Sequence, residues 1–146
     1  MSVRAQPLIA VRDVRKSSRW YAKLLRAQQS SALFKSDHSH LYDRLIVDGQ
    51  LVLQLHAWDE EDHPNLRSSR TRAGHGVLLW FEVDDFDAAE KRVRALRAKV
   101  VLEPHVNPAP AHRELWLEDP DGYVVVLASP DGEAGGEESA PRRRGR

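Results

Sequence analysis

The pattern of hydrophobic and polar positions along this chain predicts two amphipathic helices. Apolar residues recur at helical spacing from 14 to about 27, with Arg and Lys on the other side, and again from 85 to about 97. Asp13 and Asp85 stand at the starts of these segments, where a carboxylate caps a helix N-terminus. Elsewhere the pattern changes to short aromatic and β-branched runs, which predict strands.

Two of the predicted strand pairs are hairpins with a recognisable turn sequence. In the segment 112–130, two apolar runs flank Asp-Pro-Asp-Gly at 119–122, where proline presets φ, aspartate caps the turn and glycine takes positive φ. The run 123–127 is aromatic and β-branched, which predicts a strand buried on much of both faces. A weaker copy of this hairpin lies at 45–55, with Asp-Gly at its turn.

The two halves of the chain repeat each other at a constant offset of 72 positions. Leu24 in the first helix corresponds to Leu96 in the second. Val52 in the first hairpin corresponds to Val124 in the second. An ungapped register across both a helix and a hairpin indicates that one unit of about sixty residues has been duplicated, a period longer than that of stacked repeats.

The predicted organisation is two βαβββ modules, at 6–57 and 74–130, joined by a polar linker at 58–73. The strands are predicted at 6–12, 31–35, 41–47 and 50–57, then at 76–83, 100–102 and in the two runs that flank 119–122. The Pro-rich segment 104–110 is predicted as a loop that cannot join a ladder. Residues 131–146 lack periodicity and apolar mass and are predicted to form a disordered tail.

Composition excludes several classes of partner and site. Lys and Arg together number 22, as do Asp and Glu, so no global field favours nucleic acid or an anionic membrane. The absence of cysteine excludes disulfides and thiolate metal sites and fits a reducing cytosol. No apolar run is long enough for a signal peptide or a membrane span. We therefore expect a soluble, cytoplasmic protein that binds neither nucleic acid nor membrane.

Two βαβββ units, with Val-Arg-Asp-Val at 11–14 and Asp-Pro-Asp-Gly-Tyr at 119–123, resemble the vicinal oxygen chelate superfamily. That superfamily contains glyoxalase I, extradiol dioxygenases, fosfomycin-resistance enzymes and bleomycin-binding proteins. The resemblance covers about 6–130 and implies an α+β fold in which the two modules form half-barrels around a cavity. It also implies a homodimer. It does not specify a reaction, because this fold hosts many chemistries.

Metal-using members of that superfamily place two ligands in each module, one near the start of the first strand and one in the last strand. Carried onto this chain, these positions are Gln6 and Gln54 in the first module and Leu78 and Val126 in the second. Two neutral amides cannot replace the three or four N and O donors, including carboxylate, that a divalent ion prefers. The resemblance therefore implies that the usual metal site is missing, and we expect no cofactor.

Strand alternation and the inward positions of the superfamily together give an expected lining for the cavity. The expected ligand-binding residues are Gln6, Tyr42, Arg44, Gln54, His56, Trp80, Glu114 and Trp116. Two tryptophans can sandwich a flat ligand, and Arg44 can take a carboxylate or phosphate. The alternative is that the tryptophans are plain core, that Arg44 pairs with Glu114 and that His56 is structural.

Three functional interpretations follow. The leading one is a metal-free protein that binds a small planar or aromatic molecule, with drug sequestration as in bleomycin resistance proteins. The second is a glyoxalase-type lyase or isomerase, or a dioxygenase-like enzyme, whose metal has moved to residues such as His56, His105, His112 and Glu114, or in which Glu114 and His56 do acid–base work. The third is a dimeric scaffold whose pocket is filled by its own side chains. Nucleophilic catalysis has no support, because there is no cysteine and no G-x-S-x-G motif.

Overall fold

The computed structural model describes residues 2, 4–31, 39–58, 66, 74–75, 77–109 and 111–135. The chain divides into two compact units, Met1–Arg72 and Ala73–Arg146. Each unit contains one four-stranded mixed sheet and one long helix. No helix in the described part of the chain is both long and apolar enough to cross a membrane.

The first unit contains five regular elements in the order strand, helix and three strands. They are β1 (Leu8–Val11), α1 (Val14–Leu25), β2 (Gln28–Gln29), β3 (Tyr42–Val47) and β4 (Gln50–Ala57). The strand order across the sheet is β1-β4-β3-β2, with β1 parallel to β4 and the other pairs antiparallel.

The second unit repeats this arrangement. Its elements are β5 (Leu78–Glu82), α2 (Phe86–Ala95), β6 (Lys99–Asn107), β7 (His112–Glu118) and β8 (Val124–Ala128). The strand order is β5-β8-β7-β6, with β5 parallel to β8 and the other pairs antiparallel. The predicted α+β fold of two βαβββ modules is therefore confirmed.

Strand register gives independent support for the duplication. Gln54 lies beside Arg44 on β3, and Val126 lies beside Trp116 on β7. Each residue of the second pair follows its counterpart by 72 positions, the offset found in the sequence. The two sheets therefore share their pairing as well as their element order.

The core of each unit lies between its helix and one face of its sheet. In the first unit, Tyr21 and Leu24 of α1 and Leu45, Leu53 and Leu55 of the sheet are fully buried. In the second unit, Ala89 and Val93 of α2 and Leu115, Leu117 and Val125 of the sheet are fully buried as well. Because side chains alternate along a strand, the residues between these core positions lie on the opposite face of each sheet.

Local signals in the sequence explain where the helices begin and where the last hairpin turns. The side chains of Asp13 and Asp85 each accept a hydrogen bond from the backbone N–H three residues on, at 3.0 Å, which caps α1 and α2. In the last turn, Asp119 accepts from the backbone N–H groups of Asp121 and Tyr123 at 2.8 Å. Gly122 takes φ 95°, which favours glycine, and the predicted turn chemistry is confirmed.

Several predicted boundaries differ from the observed ones. Both helices end about two residues early, because Arg26 and Arg97 adopt left-handed φ values of 54° and 53°. The strand predicted at 31–35 is wrong at Ser31, which is helical, and residues 32–35 lie outside the described part. The strand that pairs with β3 is instead Gln28–Gln29.

The Pro-rich segment predicted as a loop is largely strand. β6 runs to Asn107 and includes Pro104, although the prediction placed a loop from 104 onward. The register of β6 against β7 shifts between Leu102 and His105, so Pro104 sits at an irregularity. β6 is also the edge of its sheet, and an edge strand or a bulge is where proline is tolerated.

The predicted disordered tail begins too early. Asp131–Gly135 is ordered in the structure, and residues 136–146 lie outside the described part. Ala134 is buried, and its backbone N–H donates to the carbonyl of Ala111 at 3.1 Å. Glu133 forms an ion pair with Arg113 at 2.9 Å. These contacts offset the ordering entropy of a segment that has little apolar mass.

Candidate functional site

The face of the second sheet that lies opposite its buried core carries a row of four apolar side chains. Strand register places Trp80 of β5, Val126 of β8, Trp116 of β7 and Leu102 of β6 side by side. Trp80 and Leu102 are each 45% exposed, whereas Val126 is fully buried. Adjacent strands lie about 4.8 Å apart, so the two tryptophans flank Val126 at a Cα separation of roughly 10 Å. We call this arrangement the tryptophan slot: Trp80 and Trp116 are its walls and Val126 is its floor.

A buried carboxylate lies next to the slot. Glu114 is 3% exposed, and each of its oxygens faces two groups that can donate. One oxygen accepts from Trp116 Nε1 at 2.8 Å and lies 3.4 Å from His105 Nε2. The other accepts from Asn107 Nδ2 at 3.0 Å and from His112 Nε2 at 2.5 Å. Glu114 thus fixes the ring of one slot wall while its own charge is surrounded by donors.

The environment of Glu114 favours its ionised form. Burial alone would raise the pKa of Glu114, but hydrogen bonds from Asn107, Trp116 and His112 lower that pKa to about 2. A carboxylate with so low a pKa is a weak proton acceptor at neutral pH. The geometry therefore gives Glu114 the role of a hydrogen-bond acceptor that positions its neighbours.

His112 connects this carboxylate to the other wall of the slot and to the C-terminal segment. Its ring lies 5.8 Å from that of Trp80 in an edge-on arrangement. Its Nδ1 lies 3.3 Å from Asp131 Oδ1, so both ring nitrogens face carboxylates, as an imidazolium requires. Burial would lower the pKa of His112, but the bonds to Glu114 and Asp131 outweigh it and raise that pKa.

The predicted site residues of the first unit form a separate polar group. Tyr42 donates its hydroxyl proton to Gln54 Oε1 at 2.5 Å. The Gln54 amide donates to the backbone carbonyl of Gln6 at 2.9 Å. The ring of His56 lies 6.2 Å from that of Tyr42, and its Nδ1 is 2.6 Å from the carbonyl of Ala57. Four of the predicted positions are thus close together, with Gln6 taking part through its backbone.

Arg44 lies on the same face, beside Gln54 in the register. It also lines an open cleft of about 490 Å³ in the first unit. The other lining residues are Arg4, Ala5, Gln6, Gly49, Gln50 and Leu51. Arg44 and Gln6 therefore share a cleft that none of the other predicted site residues lines.

A family model described as the Glyoxalase/Bleomycin resistance protein/Dioxygenase superfamily matches residues 4–127. The chain belongs to this superfamily. The match spans both βαβββ modules, so membership applies to the whole described fold and not to one half.

Several solved structures have the same fold as this chain at low sequence identity. A protein of unknown function from Agrobacterium tumefaciens str. C58 is 22% identical, with a TM-score of 0.67 over 89% of this chain and 96% of that one. The fosfomycin resistance protein FosX from Mesorhizobium loti is 14% identical, with a TM-score of 0.61 over 89% and 93% of the two chains. Lactoylglutathione lyase from Agrobacterium tumefaciens is 16% identical, with a TM-score of 0.63 over 88% and 94%. At these identities the likeness shows the fold alone.

A local match to another kind of protein also occurs. The ribosome maturation factor RimM from Oleidesulfovibrio alaskensis is 43% identical over 63 residues, which is 42% of this chain. The match spans about a third of that relative's length, 34%. It therefore covers too little of either protein to describe the fold.

The residues at the metal positions of the Glyoxalase/Bleomycin resistance protein/Dioxygenase superfamily do not fit a divalent ion. Leu78 and Val126 have no lone pair to offer. The oxygen of Gln54 already accepts from Tyr42, and its amide is bound to Gln6. The two metal positions of the second unit are also not neighbours, because Val126 pairs with Trp80 on β5 whereas Leu78 pairs with Val124. Within the described ranges, no group of three or more His, Asp or Glu is arranged to hold a metal.

Sequence reasoning missed a buried carboxylate in the first unit. Asp43 is 2% exposed and accepts from Ser18 Oγ, Ser30 Oγ and both the N–H and Oγ of Ser31, at 2.5 to 3.0 Å. Burial would raise the pKa of Asp43, but the hydrogen bonds from Ser18, Ser31 and the N–H of Arg44 outweigh it and lower that pKa. The available signal was an aspartate between Tyr42 and Arg44 in a predicted strand, where alternation turns its side chain to the opposite face from theirs.

Proposed function

We propose that this chain is a metal-free member of its superfamily that binds a small planar or aromatic organic molecule. We propose sequestration as its role, of the kind for which the superfamily's bleomycin resistance proteins are named. The observation that carries this proposal is the tryptophan slot. The β8 position that would supply a metal ligand is Val126, which forms an apolar floor between two indoles.

Preorganised walls support binding of a flat ring. Trp116 is fixed by its N–H bond to Glu114, and Trp80 rests edge-on against His112. A ligand that enters such a slot does not have to order these side chains, so less binding free energy is lost. Stacking on each ring then adds about 0.5 to 1.5 kcal/mol beyond area burial.

The same contacts weigh against acid–base catalysis by Glu114. A general base works best when its pKa lies near the working pH, and the pKa of Glu114 is about 2. His56, the other candidate, already places Nδ1 against a backbone carbonyl. The proposal therefore contains no bond-making step.

One observation favours the alternative, an enzyme with a relocated divalent metal. His105 and His112 both face Glu114, so two imidazoles approach one carboxylate, although within the described ranges these three side chains are not arranged to hold an ion. Elemental analysis of the purified protein distinguishes the two functions. One Zn, Ni, Mn or Fe per chain would support the enzyme, whereas substoichiometric metal supports the binder.

We also propose that the protein is a homodimer. The support is that members of the superfamily pair their modules around a cavity, often across a dimer interface. Sedimentation equilibrium at micromolar concentration tests this, and a monomeric mass would contradict it.

A tryptophan substitution tests the binding proposal. Titration of the protein with planar heteroaromatic dyes, followed by dye polarisation, should give saturable binding. Trp80→Ala removes one exposed wall and should weaken binding about tenfold. Trp20→Ala is the matched control, because Trp20 lies on α1 against Tyr21 and should leave dye affinity unchanged. Equal loss of affinity in both variants, or no dye binding at all, would contradict the proposal.

A further inference from the structure

We propose that the molecule bound in the tryptophan slot is a planar organic cation. This inference rests on the proposed function and specifies the charge of its ligand. It is drawn from the charged side chains that strand register places around the slot.

The row of residues on one side of the slot is acidic. Register places Glu82 of β5, Ala128 of β8, Glu114 of β7 and His105 of β6 side by side, two positions along each of β5, β8 and β7 from the slot residues. Glu82 is exposed. Asp131 contributes a further carboxylate, 77% exposed, next to His112. Three carboxylates therefore border this side.

The row on the other side of the slot is close to neutral. It consists of Leu78, Val124, Glu118 and Lys99. Lys99 Nζ lies 3.2 Å from Glu118 Oε2, so the charges of this pair cancel. The slot therefore receives little positive potential from this row.

Two arginines of this unit, Arg113 and Arg94, form ion pairs on the helix side of the sheet. Arg113 pairs with Asp87 and Glu133, and its guanidinium lies 4.7 Å above the ring of Phe86. Arg94 pairs with Glu90 and Glu103. Each of these cations is already matched by two carboxylates, which limits its effect on the opposite face.

The charges around the slot add up to a negative total. Glu82, Glu114 and Asp131 contribute three negative charges, and a protonated His112 returns one. A net charge of about two negative units beside two indole faces favours a cation, because indole is the strongest aromatic partner for cations. An anionic ring of the same shape would be repelled by Glu82 and Asp131.

Three flat dyes of matched size test the charge of the ligand. The probes are proflavine, a planar cation; neutral acridine; and acridine-9-carboxylate, a planar anion. We expect proflavine to bind about tenfold more tightly than the carboxylate at low ionic strength. Added salt should narrow this difference, because the Debye length falls.

A matched pair of variants locates the charge that produces the preference. Glu82→Gln should weaken proflavine binding about two- to threefold and leave acridine unchanged. Glu90→Gln removes the same charge from α2, on the helix side, and should change neither affinity.

The outcomes separate this inference from the proposed function. Similar affinity for all three dyes, tighter binding of the anion, or equal effects of the two substitutions would overturn the cation inference and leave slot binding intact. Absence of binding by all three dyes would overturn the proposed function and this inference with it.

Discussion

Glu114 and Asp43 are both buried carboxylates, and the protein satisfies them in different ways. Asp43 is surrounded by neutral hydroxyls and backbone N–H groups. Glu114 faces an imidazole whose pKa is raised, together with amide and indole donors. Each buried charge is stabilised only while its donors remain in place, because an uncompensated buried charge is costly.

Loss of the Glu114 charge should destabilise the fold. We expect Glu114→Gln to lower the free energy of unfolding by about 2 to 4 kcal/mol, because His112 loses its charged partner. Glu118→Gln, on the same face of β7, should cost about 0 to 1 kcal/mol because its partner Lys99 is 75% exposed. Urea unfolding at pH 7 measures the free energy of unfolding of both variants. Equal losses would contradict the stabilising role assigned to the buried charge of Glu114.

Asp43 should make stability sensitive to acid. Its folded pKa is lowered, so its stabilising contribution is present above the unfolded value of about 3.9 and is lost as pH falls through the folded pKa. Asp43→Asn should lower stability at pH 7 by about 1 to 3 kcal/mol and flatten the acid limb of the stability curve. Asp48→Asn, at an exposed turn, is the control and should follow the original curve. An unchanged acid limb in Asp43→Asn would contradict this role.

For individual residues, the sequence predicted which face of a strand a side chain occupies better than it predicted which side chains it contacts. Alternation placed Glu114 and Trp116 on one face, and both lie there. The approach of His105 to Glu114 was part of the relocated-metal hypothesis, whereas the contact of Asn107 with Glu114 was not predicted, because Asn107 lies on β6 and the Pro-rich segment gave no sign of a strand. Side-chain partners across strands depend on register, and the register of β6 against β7 shifts twice, between Val100 and Leu102 and between Leu102 and His105.

Among the elements, β6 is an edge strand that is open to association with other chains. Val101, Leu102 and Val106 on it are each more than 40% exposed. An exposed apolar edge is a template for intermolecular pairing, and proline blocks such a ladder because it lacks an N–H. Pro104 therefore protects this edge.

Removal of Pro104 should increase aggregation. We expect Pro104→Val to raise light scattering severalfold on incubation at 37 °C, because the edge becomes a continuous strand with a complete set of donors. Pro108→Val, in the turn after β6, should scatter like the original protein. Equal scattering in all three would show that the edge is protected in another way.

The C-terminal turn should contribute to stability through specific contacts. A chain that ends at Pro130 loses the ion pairs of Asp131 and Glu133 and the burial of Ala134. We expect it to be less stable than a chain that ends at Gly135 by about 1 to 2 kcal/mol. Thermal unfolding of the two chains measures the difference, and identical midpoints would contradict the role assigned to the turn.

In the whole molecule, the two copies of the duplicated unit have the same strand pairing but carry different side chains at matched positions. The positions occupied by Tyr42, Arg44 and Gln54 in the first unit hold Glu114, Trp116 and Val126 in the second. The fold was predictable because helical and strand periodicity, caps and turns repeat at a fixed offset. The site was less predictable, since residues facing an open sheet surface are not constrained by core packing.

A metal titration tests the central claim most directly. Protein treated with a chelator and then dialysed would be titrated with Zn²⁺, Ni²⁺, Mn²⁺ and Fe²⁺ by calorimetry, and its affinity for a planar dye measured before and after. We predict no stoichiometric binding of any ion and an unchanged dye affinity. One ion bound per chain at micromolar or tighter affinity, with dye binding that depends on it, would contradict the account.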